Sequence, residues 1–201
     1  MNYNVIAIER EYASGGSEIG EKLAKKLKIP CYGQEILEIS AKKLGFPPDQ
    51  LISAEESMTG SLLHSIVAMT NIAFGRNVDL LSIEQKLFIT EADVINKLAM
   101  SSCVIVGRGA VSLLKDNGNV LKVFIHADYN ARIDRAVNIY GIGHEAAESV
   151  LHRFDKRRSN YFKASTGSAW KDPSIYHMLL SSSKLGVDRA ADILYETIKQ
   201  G

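Results

Sequence analysis

The chain begins with an apolar run, Val5-Ile6-Ala7-Ile8, that leads into Ala13-Ser14-Gly15-Gly16-Ser17 and then at once into an amphipathic segment. This is the outline of a strand, a small-residue loop and a helix. A helix N-terminus behind such a loop presents unpaired backbone N–H groups to an anion, and small residues let the main chain close on it. A plain glycine turn has the same composition. The consensus phosphate loop, G-x-x-x-x-G-K-[ST], places a lysine just before the helix, where this chain holds Gly16 and Ser17. The loop suits phosphate but lacks its usual cation. Arg10, directly after the apolar run, is a candidate to supply that charge.

Apolar periodicity predicts strands alternating with helices. Ile19, Leu23, Ala24 and Leu27 recur at helical spacing over about 17–27. A short strand follows at about 29–32, then a helix at about 35–44 closed by Gly45 and the Pro47-Pro48 break. Residues 49–100 read as helical throughout, too long for a simple crossover, and so as a lobe inserted between strands. Cys103-Val104-Ile105-Val106 and residues 120–125 are further strands, with helices expected at about 130–140, 145–160 and 187–199. The apolar run at 176–180 is the last return to the sheet. Strands separated by helices predict an α/β fold on a parallel sheet with right-handed crossovers.

At 201 residues, one domain is expected. A net charge of +1 gives no bulk attraction to nucleic acid polymers or an anionic membrane, so any basic site must be local. Cys31 and Cys103 stand in apolar settings without metal-ligand spacing and read as thiols rather than a disulfide. No apolar run is long enough to span a membrane and no secretory segment begins the chain, which makes a cytoplasmic protein the expectation.

Two further groups carry chemistry. Gly107-Arg108-Gly109 follows a strand, at the sheet edge where ligands gather in parallel α/β folds. A guanidinium there suits a phosphate or carboxylate bidentately, although a surface arginine in a turn has the same sequence. Arg153-Phe154-Asp155-Lys156-Arg157-Arg158, with Tyr161 and Lys163 beyond, places five cations in a short stretch. That describes a solvated helix face, or a mobile lid following a helix and closing cations over transferring phosphates. Arg132 and Arg135 are possible additions to the lid's cations. The five histidines form no ligand pair, so no metal site is expected from them. No G-x-S-x-G elbow is present, and the aromatic residues form no stacking platform for RNA.

The ordered segments I-A-I-E-R-E-Y-A-S-G-G-S-E-I-G-E-K-L-A, I-P-C-Y-G-Q-E-I-L, V-I-V-G-R-G-A, V-F-I-H-A, D-K-R-R-S-N-Y-F and W-K-D-P-S-I-Y-H-M-L-L resemble those of the cytidylate kinase-like proteins over nearly the whole chain. The resemblance implies a P-loop kinase fold on a five-stranded parallel sheet, with a helical nucleotide-binding lobe at about 34–98 and a lid at about 153–175. It implies ATP with Mg²⁺ as donor and a nucleotide such as CMP or dCMP as acceptor. Ser14, Gly15, Gly16 and Ser17 fall in the phosphate loop, with Arg153 as a further donor-side contact. Arg108 falls where an arginine engages the acceptor phosphate. Arg157 and Arg158 match the lid's basic motif and Asp155 its acidic position, on the substrate side.

The chain departs from the family pattern at several positions. Ala13 stands for a glycine, Ser17 for a basic residue and Gly33 for an aspartate, and Tyr176 to Ser183 lacks an acidic and an amide side chain of the usual motif. Two expectations follow: phosphoryl transfer by an enzyme in which Arg10, Arg157 and Arg158 serve catalysis, or a degenerate homologue that binds a nucleotide or phosphate as a sensor. A third expectation is a scaffold that self-associates through Leu62, Leu63, Ile66, Val67 and Met69.

Overall fold

A computed structural model describes residues 3–47 and 81–200. The expected seam from Leu62 to Met69 and most of the inserted lobe lie outside the described residues. Five parallel strands form one sheet: β1 (Val5–Arg10), β2 (Cys31–Tyr32), β3 (Cys103–Val106), β4 (Val120–His126) and β5 (Met178–Ser181), in the order β2-β3-β1-β4-β5. β1 is central. Its Val5 is in register with Cys103 on one side and with Val120 on the other.

The three central strands, β3, β1 and β4, are buried on both faces, which accounts for their nearly continuous apolar sequences. Ile6, Ile8, Val104, Val106, Leu121, Val123 and Ile125 face one layer, made by α1 (Gly16–Leu27) and the C-terminal α7 (Val187–Gln200). Val5, Ala7, Cys103, Ile105, Val120 and Phe124 face the other. That layer contains Ile36 of α2 (Glu35–Leu44), Val94 and Ile95 of α3 (Ile83–Leu98), and Val111 of α4 (Ala110–Leu113). It also receives Phe162, Trp170 and Tyr176. Side-chain alternation along each strand divides the two layers.

Two local choices set how close the layers approach. A Cβ on Gly20 of α1 would lie 2.7 Å from Val106 Cγ2, so glycine lets that helix rest directly on β3. Ser82 caps α3 by accepting from Gln85 N while Gln85 returns a bond to the Ser82 backbone, a capping box.

Several boundaries differ from the sequence expectation, β2 and β5 among them, each starting two residues later. β1 runs on to Arg10, so this residue ends the strand rather than following it. α5 is Tyr129–Asn138. The helix expected to stop near 160 continues as α6 (His144–Thr166), 23 residues long. The basic run is therefore the middle of a helix rather than a segment after one. Nothing between Glu145 and Thr166 breaks a helix; Gly167, at φ 74°, ends it in the left-handed conformation with its N–H on Lys163 O.

Cys31 and Cys103 are free, with Cys103 buried and Cys31 half-buried. Burial pushes both thiols up to about 11, so they carry little thiolate at neutral pH.

Candidate active site

The loop between β1 and α1 stands at the C-terminal edge of the sheet. Gly15 is the left-handed N-cap of α1 at φ 76°, and no side chain caps this terminus. The first-turn N–H groups are thus left to an external acceptor. Ala13 also adopts a left-handed φ of 56°, a conformation that costs a non-glycine residue about 1 kcal/mol or more. Its methyl packs with Ala136, Ala147 and Leu151, a contact that a glycine there would lack. Ser14 is buried; its hydroxyl donates to Glu11 O at 2.8 Å. Ser182 Oγ donates to Ser14 O at 2.6 Å, so the altered C-terminal strand motif still ties down the loop. Ser17 is exposed in the first turn of α1.

On the other side of Arg10 lies a cavity of about 390 Å³, walled by the ends of β1 and β3, the turn after β2, and α6. Arg10, Arg108, Arg157 and Arg158 all line it. Arg108 sits between Gly107 (φ 79°) and Gly109 (φ 65°) and itself takes φ 60°. Three successive left-handed residues make a tight turn at the strand end. Arg108 Nη1 donates to Glu91 Oε1 at 3.2 Å, and Tyr161 OH donates to Glu91 Oε2 at 3.0 Å.

Arg158 donates to Arg10 O at 2.9 Å, and its guanidinium lies 5.6 Å from the centre of the Tyr12 ring. Burial and then the positive charge of Arg10 push Arg158 down to about 9, so it remains a cation at neutral pH. Cations held together in a partly desolvated cavity favour an anionic ligand.

Glu9 reaches the same cavity from the C-terminal end of β1. Its Oε2 accepts from Trp170 Nε1 at 3.2 Å, while the buried Oε1 has no hydrogen-bond partner among the described residues. Burial raises its carboxyl above the ordinary value, against the opposing pull of Arg10.

The structure therefore brings together Arg10, Arg108, Arg157 and Arg158, and places Ser14, Gly15, Gly16 and Ser17 in the adjoining loop. Arg153 and Asp155 stand apart from this cavity. Arg153 is exposed, its guanidinium 5.3 Å from the Phe154 ring centre. Asp155 accepts from Tyr12 N at 2.8 Å and from Arg132 Nη2 at 2.5 Å. One helical turn separates it from Arg158, but the carboxylate turns toward α5 and is consumed in fastening α6 to the loop.

Arg132 and Arg135 are likewise committed to carboxylates. Arg132 holds Asp155 and approaches Glu11 Oε2 at 3.5 Å, while Arg135 pairs with Glu18 beside Gly15. Tyr12 stacks on Phe154 with ring centres 4.4 Å apart, adding an apolar clamp between the loop and α6.

Glu9 and Glu91 escaped the sequence reading, yet each leaves a signal. Glu91 is a carboxylate on the buried stripe Leu87, Phe88, Glu91, Val94 and Ile95 of α3. Glu9 is an acid inside a buried strand, next to Arg10. Charged residues at core positions are kept only when partners await them.

Comparison with known proteins agrees with this geometry. The cytidylate kinase-like family profile matches residues 5–184. A crystal structure of an uncharacterized protein from Eubacterium ventriosum is 26% identical with a TM-score of 0.73, covering 98% of this chain and 99% of that one. Shikimate kinase from Bacteroides thetaiotaomicron is 11% identical with a TM-score of 0.55, over 97% and 98% of the two chains. Shikimate kinase from Acinetobacter baumannii, in complex with shikimate, is 15% identical with a TM-score of 0.51, over 98% and 94%. No curated protein matches the sequence. The two shikimate kinases share the P-loop kinase fold seen here, five parallel strands between helical layers. No helix among the described residues is long and apolar enough to cross a membrane. With its profile match running from β1 to the helix after β5, the chain belongs to the cytidylate kinase-like family and is a nucleotide kinase-like protein.

Proposed function

We propose that this protein transfers a phosphoryl group from ATP to a nucleoside monophosphate such as CMP or dCMP. The observation that carries the proposal is the convergence of Arg10, Arg108, Arg157 and Arg158 on one cavity beside an uncapped helix N-terminus. The backbone donors of Gly15, Gly16 and Ser17 hold the donor's phosphates. Arg108, fixed by Glu91, binds the acceptor's phosphate. Arg157 and Arg158 face it from α6 and neutralise charge as it spreads over the transferring group.

Transfer needs no covalent protein intermediate. An acceptor phosphate oxygen forms the new bond to the γ-phosphorus, the bond to the β–γ bridging oxygen breaks, and ADP leaves with that electron pair. Ser17 Oγ, exposed in the first turn of α1, fits the Ser/Thr position that holds Mg²⁺ in phosphate loops. When bound, Mg²⁺ neutralises the donor's phosphate charge.

The testing experiment is a phosphotransfer assay with ATP and Mg²⁺ against a panel of ribo- and deoxyribonucleoside monophosphates, read by product identity. Transfer to CMP or dCMP, lost in Arg108→Ala, is expected. ATP binding without turnover across the panel would favour the second reading, a degenerate kinase acting as a nucleotide or phosphate sensor. The altered loop, with Ala13 and Ser17, and the changed stretch from Tyr176 to Ser183 are what motivate that reading.

A further inference from the structure

We infer that Arg10 is the phosphate loop's cation, moved to the far end of the motif, and that Gly16 is glycine in order to make room for it. The inference rests on the nucleotide-binding reading above. Counting G-x-x-x-x-G-K-[ST] back from Gly15 and Ser17 puts Arg10 at the motif's first glycine and Gly16 at its lysine. The loop keeps its second glycine and its serine. It has exchanged a glycine for an arginine at one end and a lysine for a glycine at the other.

The two exchanges are one event in space. A Cβ built on Gly16 would lie 2.5 Å from Arg10 Cβ and 2.8 Å from Arg10 Cγ, with Ile125 Cβ at 3.3 Å behind. No side chain, least of all lysine, can be rooted at position 16 while the Arg10 stem is there. Beyond Gly16 the Arg10 guanidinium passes over Gly107, where any side chain would collide with it. Two glycines, from different elements, therefore form the floor of a channel for one arginine. The channel leads from the base of the phosphate loop into the cavity lined by Arg108, Arg157 and Arg158.

Confinement removes most of the rotamer freedom that a long side chain otherwise gives up on binding. The charge thus arrives already oriented, at the boundary between the donor's loop and the acceptor's cavity. A guanidinium at that boundary can bridge two phosphate oxygens, which a lysine ammonium does only as a point charge. The ligand class is a polyphosphate chain, with the terminal group toward the cavity.

The test is calorimetric titration of MgATP and of inorganic tripolyphosphate into wild type, Arg10→Gln, Arg10→Gly, Gly16→Lys and the double variant Arg10→Gly/Gly16→Lys, each checked for folding by circular dichroism and Tm. Arg10→Gln should weaken both ligands about ten- to hundred-fold, the loss of one charge-assisted contact. Gly16→Lys alone should lower the Tm, and the double variant should recover both the Tm and binding relative to the single variants. Wild type that binds neither ligand would overturn the nucleotide reading itself. Wild type that binds, alongside Arg10→Gln that binds equally well, would overturn only the assignment of Arg10. A folded double variant binding no better than Arg10→Gly would do the same.

Discussion

Arg108 reaches Glu91 at 3.2 Å, and the carboxylate it meets is wholly buried while the guanidinium is 14% exposed. The two residues come from the end of β3 and the middle of α3, and Tyr161 of α6 shares the same carboxylate. One buried acid therefore aligns the cavity arginine and joins two helices to the sheet edge. Its burial is tolerable because both oxygens are partnered.

Removing that acid should be costly. Glu91→Ala is expected to destabilise the protein by about 3 kcal/mol, the scale of breaking a buried ion pair, lowering the Tm by about 6–12 °C. Glu91→Gln keeps the shape and should raise the acceptor's KM more than the donor's. Thermal unfolding checks the first expectation and steady-state kinetics the second; equal effects on both KM values would show that Glu91 does not act through Arg108.

Glu9 gives a pH-dependent expectation. Burial lifts its carboxyl above the ordinary 4.5, so the fold holds this proton more tightly than the unfolded chain does. Such a group contributes stability below its ordinary value, and that contribution is lost as pH rises through the raised one. Glu9→Gln does not titrate. Its Tm relative to wild type should therefore climb as pH rises from the ordinary 4.5 through the raised value, and a difference constant with pH would show that Glu9 does not titrate abnormally.

The crowding of Arg10 and Arg158 should make the protein responsive to phosphate-bearing ligands. At a hundred times its Kd, a ligand adds about 2.7 kcal/mol of stability, or about 5–11 °C in Tm. Differential scanning fluorimetry with CMP and with pyrophosphate should show this rise. Sodium chloride should reduce it, and Arg108→Ala should diminish the CMP response. An unchanged Tm at saturating ligand would contradict the assignment of the cavity to anions.

At Gly20 two effects oppose each other. Alanine there gains about 1 kcal/mol in helix propensity, but its Cβ would lie 2.7 Å from Val106 Cγ2, and overpacking costs about 1–3 kcal/mol. Gly20→Ala should lose up to about 2 kcal/mol net, a fall of up to about 8 °C in Tm. A rise in Tm would mean that α1 can slide on β3.

The sequence by itself determined the layered α/β architecture, because apolar runs buried on both faces and helical spacing are local patterns. Val5 to Ile8, Cys103 to Val106, and Ile19, Leu23 and Ala24 each declare their element within a few residues. It also determined the small-residue loop and the arginine between Gly107 and Gly109, since turn residues mark such positions. Only the tertiary structure decided which cations share a cavity. Arg158 and Asp155 are neighbours along one helix, yet one faces Arg10 and the other faces Arg132, since side chains three residues apart on a helix still diverge when different partners await them. The continuous α6 likewise required its packing against the loop through Tyr12 and Phe154. The clash that excludes a side chain from Gly16 depends on a residue six positions earlier crossing above it. Sequence spacing records such a pair but not its contact, because the direction of a side chain is fixed by what surrounds it.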